Sequence, residues 1–195
     1  ELCGENIPQR FEIRGEVNYP HKSFEEFNKT RIENGEEPFA NPRNAASGSL
    51  KLLNPQEVAE RKLECFLYYI MEQGNSESKT HYDRLKLAKT WGFNVPKYTA
   101  IAKNIDEIMS FIDLWDKERN DLPFNIDGVV LKLNNIKLWE RLGATAKTPR
   151  WATAFKFKAE QAQSKLLNIE YQVGRTGVIT PVAVFEPVWL GGTWV

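Results

Sequence analysis

Phe124-Asn125-Ile126-Asp127-Gly128-Val129-Val130-Leu131-Lys132-Leu133 reads as a turn feeding a strand. Asp127-Gly128 supplies the turn, since glycine tolerates positive φ without steric cost. Residues 129–133 are β-branched and apolar, the pattern of a strand buried on both faces. Lys132 interrupts that run. A lysine in a buried strand is costly unless it meets an anion, although one at a strand end can instead snorkel to water. Ala154-Phe155-Lys156-Phe157 repeats the pattern, one lysine between aromatics at strand spacing. Two such lysines can converge on one phosphate-bearing ligand, and the spacing predicts that both face a single cleft.

Outward from there the chain reads as mixed strands and helices. Residues 10–17 alternate apolar and polar, as a half-buried strand does. Glu16 falls on its polar face, either as a surface carboxylate or as a hydrogen-bond acceptor for a bound ligand. The two lysines and Glu16 are expected in one cleft. A helix is predicted over residues 23–34, with Ser23 as cap, Glu26 completing a capping box, Phe24 and Phe27 buried, and Gly35 ending it. Residues 39–50 are small and polar, with Arg43 inside and Lys51 just after. They suit a loop leading to a short helix, or a backbone that closely approaches a polyanion with Arg43 as a forked donor. Asn54-Pro55 caps the next helix. Residues 63–71 are apolar on both faces and predict a central strand. Residues 74–79 form a polar loop. Thr80 with Asp83 opens a helix with Tyr82, Leu85, Ala88 and Trp91 as its stripe, closed by Gly92. Asn104 opens another, burying Ile105, Ile108, Phe111, Ile112 and Trp115. Arg119 ends that helix, where a surface charge is a sufficient explanation. Residues 137–158 carry Lys137, Arg141, Lys147, Arg150, Lys156 and Lys158 against Glu140 alone, a solvated face or a contact surface for backbone phosphates. From residue 159 a polar linker leads to strands at 169–173 and 178–188 around the hairpin turn Gly174-Arg175-Thr176-Gly177.

Composition sets the bounds. The 195 residues suffice for one domain or one and a half. A formal net charge of zero excludes a strongly basic nucleic-acid coat, so any DNA contact must be a local patch. Cys3 and Cys65 cannot make a four-cysteine zinc site; Cys65 reads as core, and a reducing cytoplasm fits. No apolar run is long enough to span a membrane, and a monomer is expected. Walker loop, dinucleotide fingerprint, zincin motif and nucleophile elbow are all missing, and His21 and His81 suggest no catalytic set.

Asp127-Gly128-Val129-Val130-Leu131-Lys132 and Trp151-Ala152-Thr153-Ala154-Phe155-Lys156-Phe157 resemble two nucleotide-binding motifs of the bacterial NAD-dependent DNA ligases. Arg14-Gly15-Glu16-Val17, the run from Phe39 through Asn41-Pro42-Arg43-Asn44 to Leu50, and the run from Val173 to Pro181 agree in the expected order. The resemblance covers nearly the whole chain. It implies an α+β nucleotidyltransferase, an ATP-grasp-like ligase core of antiparallel sheets with flanking helices over residues 1–158. The start of an oligonucleotide-binding (OB-type) barrel, left incomplete, would follow over residues 159–195.

The resemblance also implies a mechanism and its residues. A lysine attacks the α-phosphate of NAD, AMP passes to a 5′-phosphate at a nick in duplex DNA, and the 3′-hydroxyl displaces it, as in replication and repair of DNA damage. Lys132 and Lys156 would serve the α-phosphate, Glu16 the ribose, and Arg43, Lys51, Asp127 and Arg119 the remaining catalytic positions. Arg150 and Arg175 would contact DNA. Lys51 departs from the family's arginine, keeping charge but losing the bidentate fork. Magnesium is expected to assist, with no metal-ligating residue assigned, and the family's zinc finger is not expected here. The family's nucleophile sits in Lys-x-Asp-Gly. Here Asn125 stands where that lysine would be, so the chain is expected to begin downstream of the motif and to lack adenylation by itself. An ATP-dependent nucleotidyltransferase relative and a non-catalytic nucleic-acid-binding module are the alternative readings; residues 41–50 favour the NAD class.

Overall fold

The computed structural model describes residues 2, 4, 7–72, 78–158, 161–190 and 193–194. Cys3 and most of the predicted loop at 74–79 lie outside them. The chain divides into two units, one of Glu1–Pro38 with Pro42–Phe157, the other of Phe39–Asn41 with Lys158–Val195.

The first unit is built on two antiparallel pairs. Strand β1 (Phe11–Asn18) pairs with β2 (Glu64–Glu72), and β3 (Gly128–Lys132) pairs with β4 (Ala152–Lys156). The β1–β2 register shifts between Arg14 and Gly15: Arg14 opposes Tyr69 and Gly15 opposes Leu67, so Tyr68 is left without a cross-strand partner. Such a bulge bends the strand and takes one residue out of the ladder. Around the pairs lie α1 (His21–Glu33), α2 (Pro42–Ser49), α3 (Pro55–Glu60), α4 (His81–Thr90), α5 (Ile105–Glu118), a 3-10 turn (Arg119–Asp121) and α6 (Lys137–Leu142). Ile70, Ala88 and Trp91 form a fully buried cluster, joining β2 to α4, with Phe11 and Phe93 packed on it.

Local chemistry accounts for several helix starts. Asn54 accepts from the Gln56 amide at 3.0 Å, Thr80 from Asp83 at 3.1 Å and Asn104 from Glu107 at 2.9 Å, each quenching an orphan first-turn donor. Helix α1 differs from the expectation. It starts at His21, with Pro20 at the cap and Ser23 inside the helix. The His21 amide is satisfied by the Pro123 carbonyl at 2.8 Å, a tertiary partner in place of a serine cap.

Other expectations are corrected by packing. Gly128 is not a positive-φ turn residue. It opens β3, and a Cβ there would run into the Phe155 carbonyl and the Lys156 backbone; its role is the close approach of β4. Strand β3 is half-buried rather than buried on both faces, and Val130 is exposed. Among the described residues strand β2 is not central: it pairs with β1 alone, and β3 joins neither. Tyr68 and Met71 are therefore exposed, and Cys65 is an exposed free thiol rather than core. Ile105 is 74% exposed, at the open end of the α5 stripe, whereas Ile112 is buried as expected.

In the second unit β5 (Leu166–Val173) pairs with β6 (Ile179–Phe185), and β7 (Trp189–Leu190) with β8 (Thr193–Trp194). The predicted turn is present, with Gly177 at φ +81° and the Gly174 amide bonded to the Val178 carbonyl at 2.8 Å. These are two separate two-stranded sheets among the described residues.

Candidate functional site

The β3–β4 register decides where the two lysines go. Lys132 opposes Ala152, and Lys156 opposes Gly128. Cross-strand partners share a face, and so do residues two apart along a strand. Lys132, Val130, Gly128, Ala152, Ala154 and Lys156 therefore line one face of the hairpin. The two lysines stand at its opposite ends, four positions or roughly 13 Å apart along the strands.

At one end, Lys156 donates to Asp127 at 2.7 Å, and Arg43 from α2 reaches the same carboxylate oxygen at 3.3 Å. Asp127 is the residue before β3, and the Phe157 amide bonds its carbonyl at 3.0 Å. The Lys156 hydrogen bond, followed by its charge and that of Arg43, holds the Asp127 carboxyl below the usual carboxylate range. The three side chains are 59–74% exposed, so the pairs are screened and contribute little to stability. Arg43 is placed by α2, whose inner face carries the buried Ala45, Ala46 and Ser49. Ser49 bonds back to the Ala45 carbonyl and accepts from Arg61 at 2.7 Å. The small residues let this helix pack closely enough to bring Arg43 to Asp127.

At the other end, Lys132 donates to the carbonyl of Tyr68, the bulged residue of β2, at 2.9 Å, with its ammonium 4.7 Å from the Tyr68 ring centroid. Burial pushes the Lys132 ammonium down to about 8. His81, the first residue of α4, is buried beside it. Burial first, then the charges of Lys132 and Arg84, push its imidazole down to about 4, against a hydrogen bond to the Tyr68 backbone. Trp139, Trp151 and Tyr69 stack next to His81, with Trp139 and Trp151 3.8 Å apart at 7°.

The remaining candidates are dispersed. Glu16 is exposed on β1 opposite Phe66, and no contact to either lysine ties it to them among the described residues. Lys51 is exposed just beyond α2. Arg119 pairs with Asp116 at 3.7 Å and lies 5.5 Å from the Phe157 ring centroid, next to Lys156 in sequence. Arg150 is exposed ahead of β4, and Arg175 is exposed in the β5–β6 turn of the second unit. Two features escaped the sequence: His21 Nε2 bonded to Asn125 Oδ1 at 2.8 Å, and the neighbourhood of His81. The orphan donors of the first turn of α4 were the available signal, because Thr80 can quench only one of them.

Two family models match. The NAD-dependent DNA ligase adenylation domain matches residues 1–160, and the NAD-dependent DNA ligase OB-fold domain matches residues 163–195. Proteins named DNA ligase are similar along nearly the whole chain. That of Azobacteroides pseudotrichonymphae is 51% identical over 193 residues, covering 99% of this chain and 29% of the relative. That of Flavobacterium johnsoniae is 54% identical over 188 residues, 96% and 28% respectively. That of Fervidobacterium nodosum is 49% identical over 186 residues, 95% and 27%. The chain thus spans less than a third of the length of these curated relatives. With a hairpin that presents two lysines on one face and a carboxylate joining one of them to Arg43, and with the two domain models matching residues 1–160 and 163–195, the chain belongs to the NAD-dependent DNA ligase family.

Proposed function

We propose that this segment positions the nucleotide phosphate in a ligase that seals nicks in duplex DNA through lysine–AMP and DNA–adenylate intermediates. The observation that carries it is the shared face of Lys132 and Lys156. Phosphoryl transfer asks the protein chiefly for position and positive charge. Lys132 and Lys156 supply the charge at the α-phosphate. Arg43 adds a forked donor, Lys51 a second cation, and Asp127 holds Arg43 and Lys156 together until the phosphate arrives. Glu16 accepts from the ribose hydroxyls, Arg119 steadies the strand end at Phe157, and Arg150 and Arg175 meet DNA phosphates. The attacking lysine lies outside these 195 residues, which contain no Lys-x-Asp-Gly.

Among the described residues no group of three His, Cys, Asp or Glu side chains converges to hold a metal. Magnesium is expected to assist by bridging phosphate oxygens, as it does in phosphoryl transfer generally. No described helix is long and apolar enough to cross a membrane; a cytoplasmic monomer acting in replication and repair fits the reading. Its architecture would be an ATP-grasp-like nucleotidyltransferase core over residues 1–158 and, over residues 159–195, the beginning of an OB-type barrel.

The test is intact-protein mass spectrometry of the full-length ligase after incubation with NAD and magnesium. Lys132→Ala is expected to suppress the AMP adduct, and an unchanged adenylation rate defeats the reading. The 195-residue chain alone is expected to gain no adduct; a stable one would reassign the nucleophile.

A further inference from the structure

The segment just after Lys132 is tied to the start of α4 by an unusual set of bonds. The His81 amide donates to the Asn134 carbonyl at 2.8 Å, and the Tyr82 amide donates to the Asn134 side-chain oxygen at 3.0 Å. With Thr80 taking the Asp83 amide, three consecutive orphan donors of the helix are quenched, two of them by one residue 52 and 53 positions away in sequence. Two further links lie alongside. Thr80 and Asn135 form an isolated antiparallel bridge, and the Ile136 amide bonds the Lys79 carbonyl at 3.3 Å.

These bonds close a ring through Lys132. From Lys132 the backbone runs two residues to Asn134, which grips the first turn of α4. That turn places His81 against Trp139 at 5.2 Å and against the Tyr68 backbone. Trp139 returns to the strand by donating to the Leu133 carbonyl at 2.7 Å. The Lys132 ammonium closes the ring on the Tyr68 carbonyl at 2.9 Å. One donor is spent on that carbonyl, leaving two for a phosphate.

We propose that Asn134 is a positioning residue for Lys132: by capping α4 from another part of the chain, it fixes the strand end and the His81–Tyr68 wall between which the ammonium is aimed. The inference rests on the proposed role of Lys132 at the phosphate. Facing this ammonium are His81 from α4 and the Tyr68 ring from β2, and the Arg84 charge acts on His81 from the same helix.

Asn104 provides the comparator. It caps α5 with the same side-chain acceptor and, among the described residues, has no bond to the Lys132 ring of contacts. In the full-length ligase, Asn134→Ala is expected to lower the rate of lysine–AMP formation about tenfold to a hundredfold, the scale of a small misplacement of a catalytic group. The KM for NAD should change far less. Asn134→Asp, which keeps the acceptor, is expected to restore most of the rate. Asn104→Ala should lower the melting temperature comparably and leave the rate unchanged.

A second reading does not use activity. Competitive acetylation mapped by mass spectrometry gives the pH at which Lys132 becomes reactive. Asn134→Ala is expected to raise that midpoint by about one pH unit as the ammonium moves toward water, and Asn104→Ala is not. Should Asn134→Ala fail to fold, Asn134→Ser, with a shorter acceptor, gives the same two readings. If Asn134 variants behave as Asn104→Ala does in both, the inference is overturned. If the Lys132 midpoint moves while Lys132→Ala leaves adenylation intact, the positioning stands and the phosphate role of Lys132 falls.

Discussion

The two ends of the β3–β4 hairpin carry the same residue type on the same face, yet they hold it by different physics. Lys156 is 68% exposed and ion-paired with Asp127. Lys132 is half-buried, bonded to a neutral carbonyl and depressed to about 8. A carboxylate partner neutralises its lysine and can be exchanged for an incoming phosphate. A carbonyl fixes the position of a lysine and leaves its charge uncompensated. The hairpin thus pairs a screened, exchangeable cation with a desolvated, aimed one, and the second acts more strongly on a buried anion.

The sharpest way to break this contrast is to remove each lysine in turn. Lys132→Ala is expected to lower the adenylation rate of the full-length ligase about 10²- to 10³-fold, the scale of losing one preorganised donor at developing charge. Lys156→Ala should cost less because Arg43 remains nearby. Rates measured by single-turnover formation of the AMP adduct check both, and equal losses would erase the distinction.

The buried end should also govern acid stability. His81 has a folded value near 4 against an ordinary 6.5, so between those values the unfolded chain binds the extra proton. Stability is then fully present above about pH 6.5 and is lost as pH falls toward 4, by up to about 3 kcal/mol. Denaturant melts across that window check it, and His81→Leu should flatten the slope.

Gly128→Ala tests the hairpin itself. The new Cβ meets β4 backbone rather than a flexible side chain, so a loss of about 1–3 kcal/mol in chemical denaturation is expected. The smallest effect belongs to the exposed end: Asp127→Asn removes both ion pairs at a cost under about 1 kcal/mol. A larger loss would show that Asp127 is structural there, contrary to its exposure.

Legibility followed the range of the interactions. The caps at Asn54, Thr80 and Asn104 act within three residues, so the sequence reads them directly. The alternation that puts Lys132 and Lys156 on a polar minority face is equally local, and the register agrees with it. What depends on remote partners was not readable. The start of α1 is set by Pro123, the reason for Gly128 is the path of β4, and the exposure of Cys65 goes with β2 having no second neighbouring strand among the described residues. Arg43, Asp127 and Lys156 could each be named from motifs, but their convergence rests on the small residues that seat α2. For Asn134 the one signal was indirect: Thr80 leaves first-turn donors of α4 open, but nothing local says which remote residue takes them.

The unpaired residue of β2 has a consequence for how this protein can vary. The group that receives Lys132 is main chain, and every amino acid at position 68 brings the same oxygen. Tyr68→Ala would strip away the ring beneath the ammonium while leaving its acceptor in place. A substitution scan is therefore blind to that anchor. Only a change of chain length can reach it: deleting one residue from β2 would restore a continuous ladder, turn the strand's side chains to their opposite faces on one side of the cut, and withdraw the carbonyl. The acceptor survives any change of side chain at position 68 and is lost with a change of chain length.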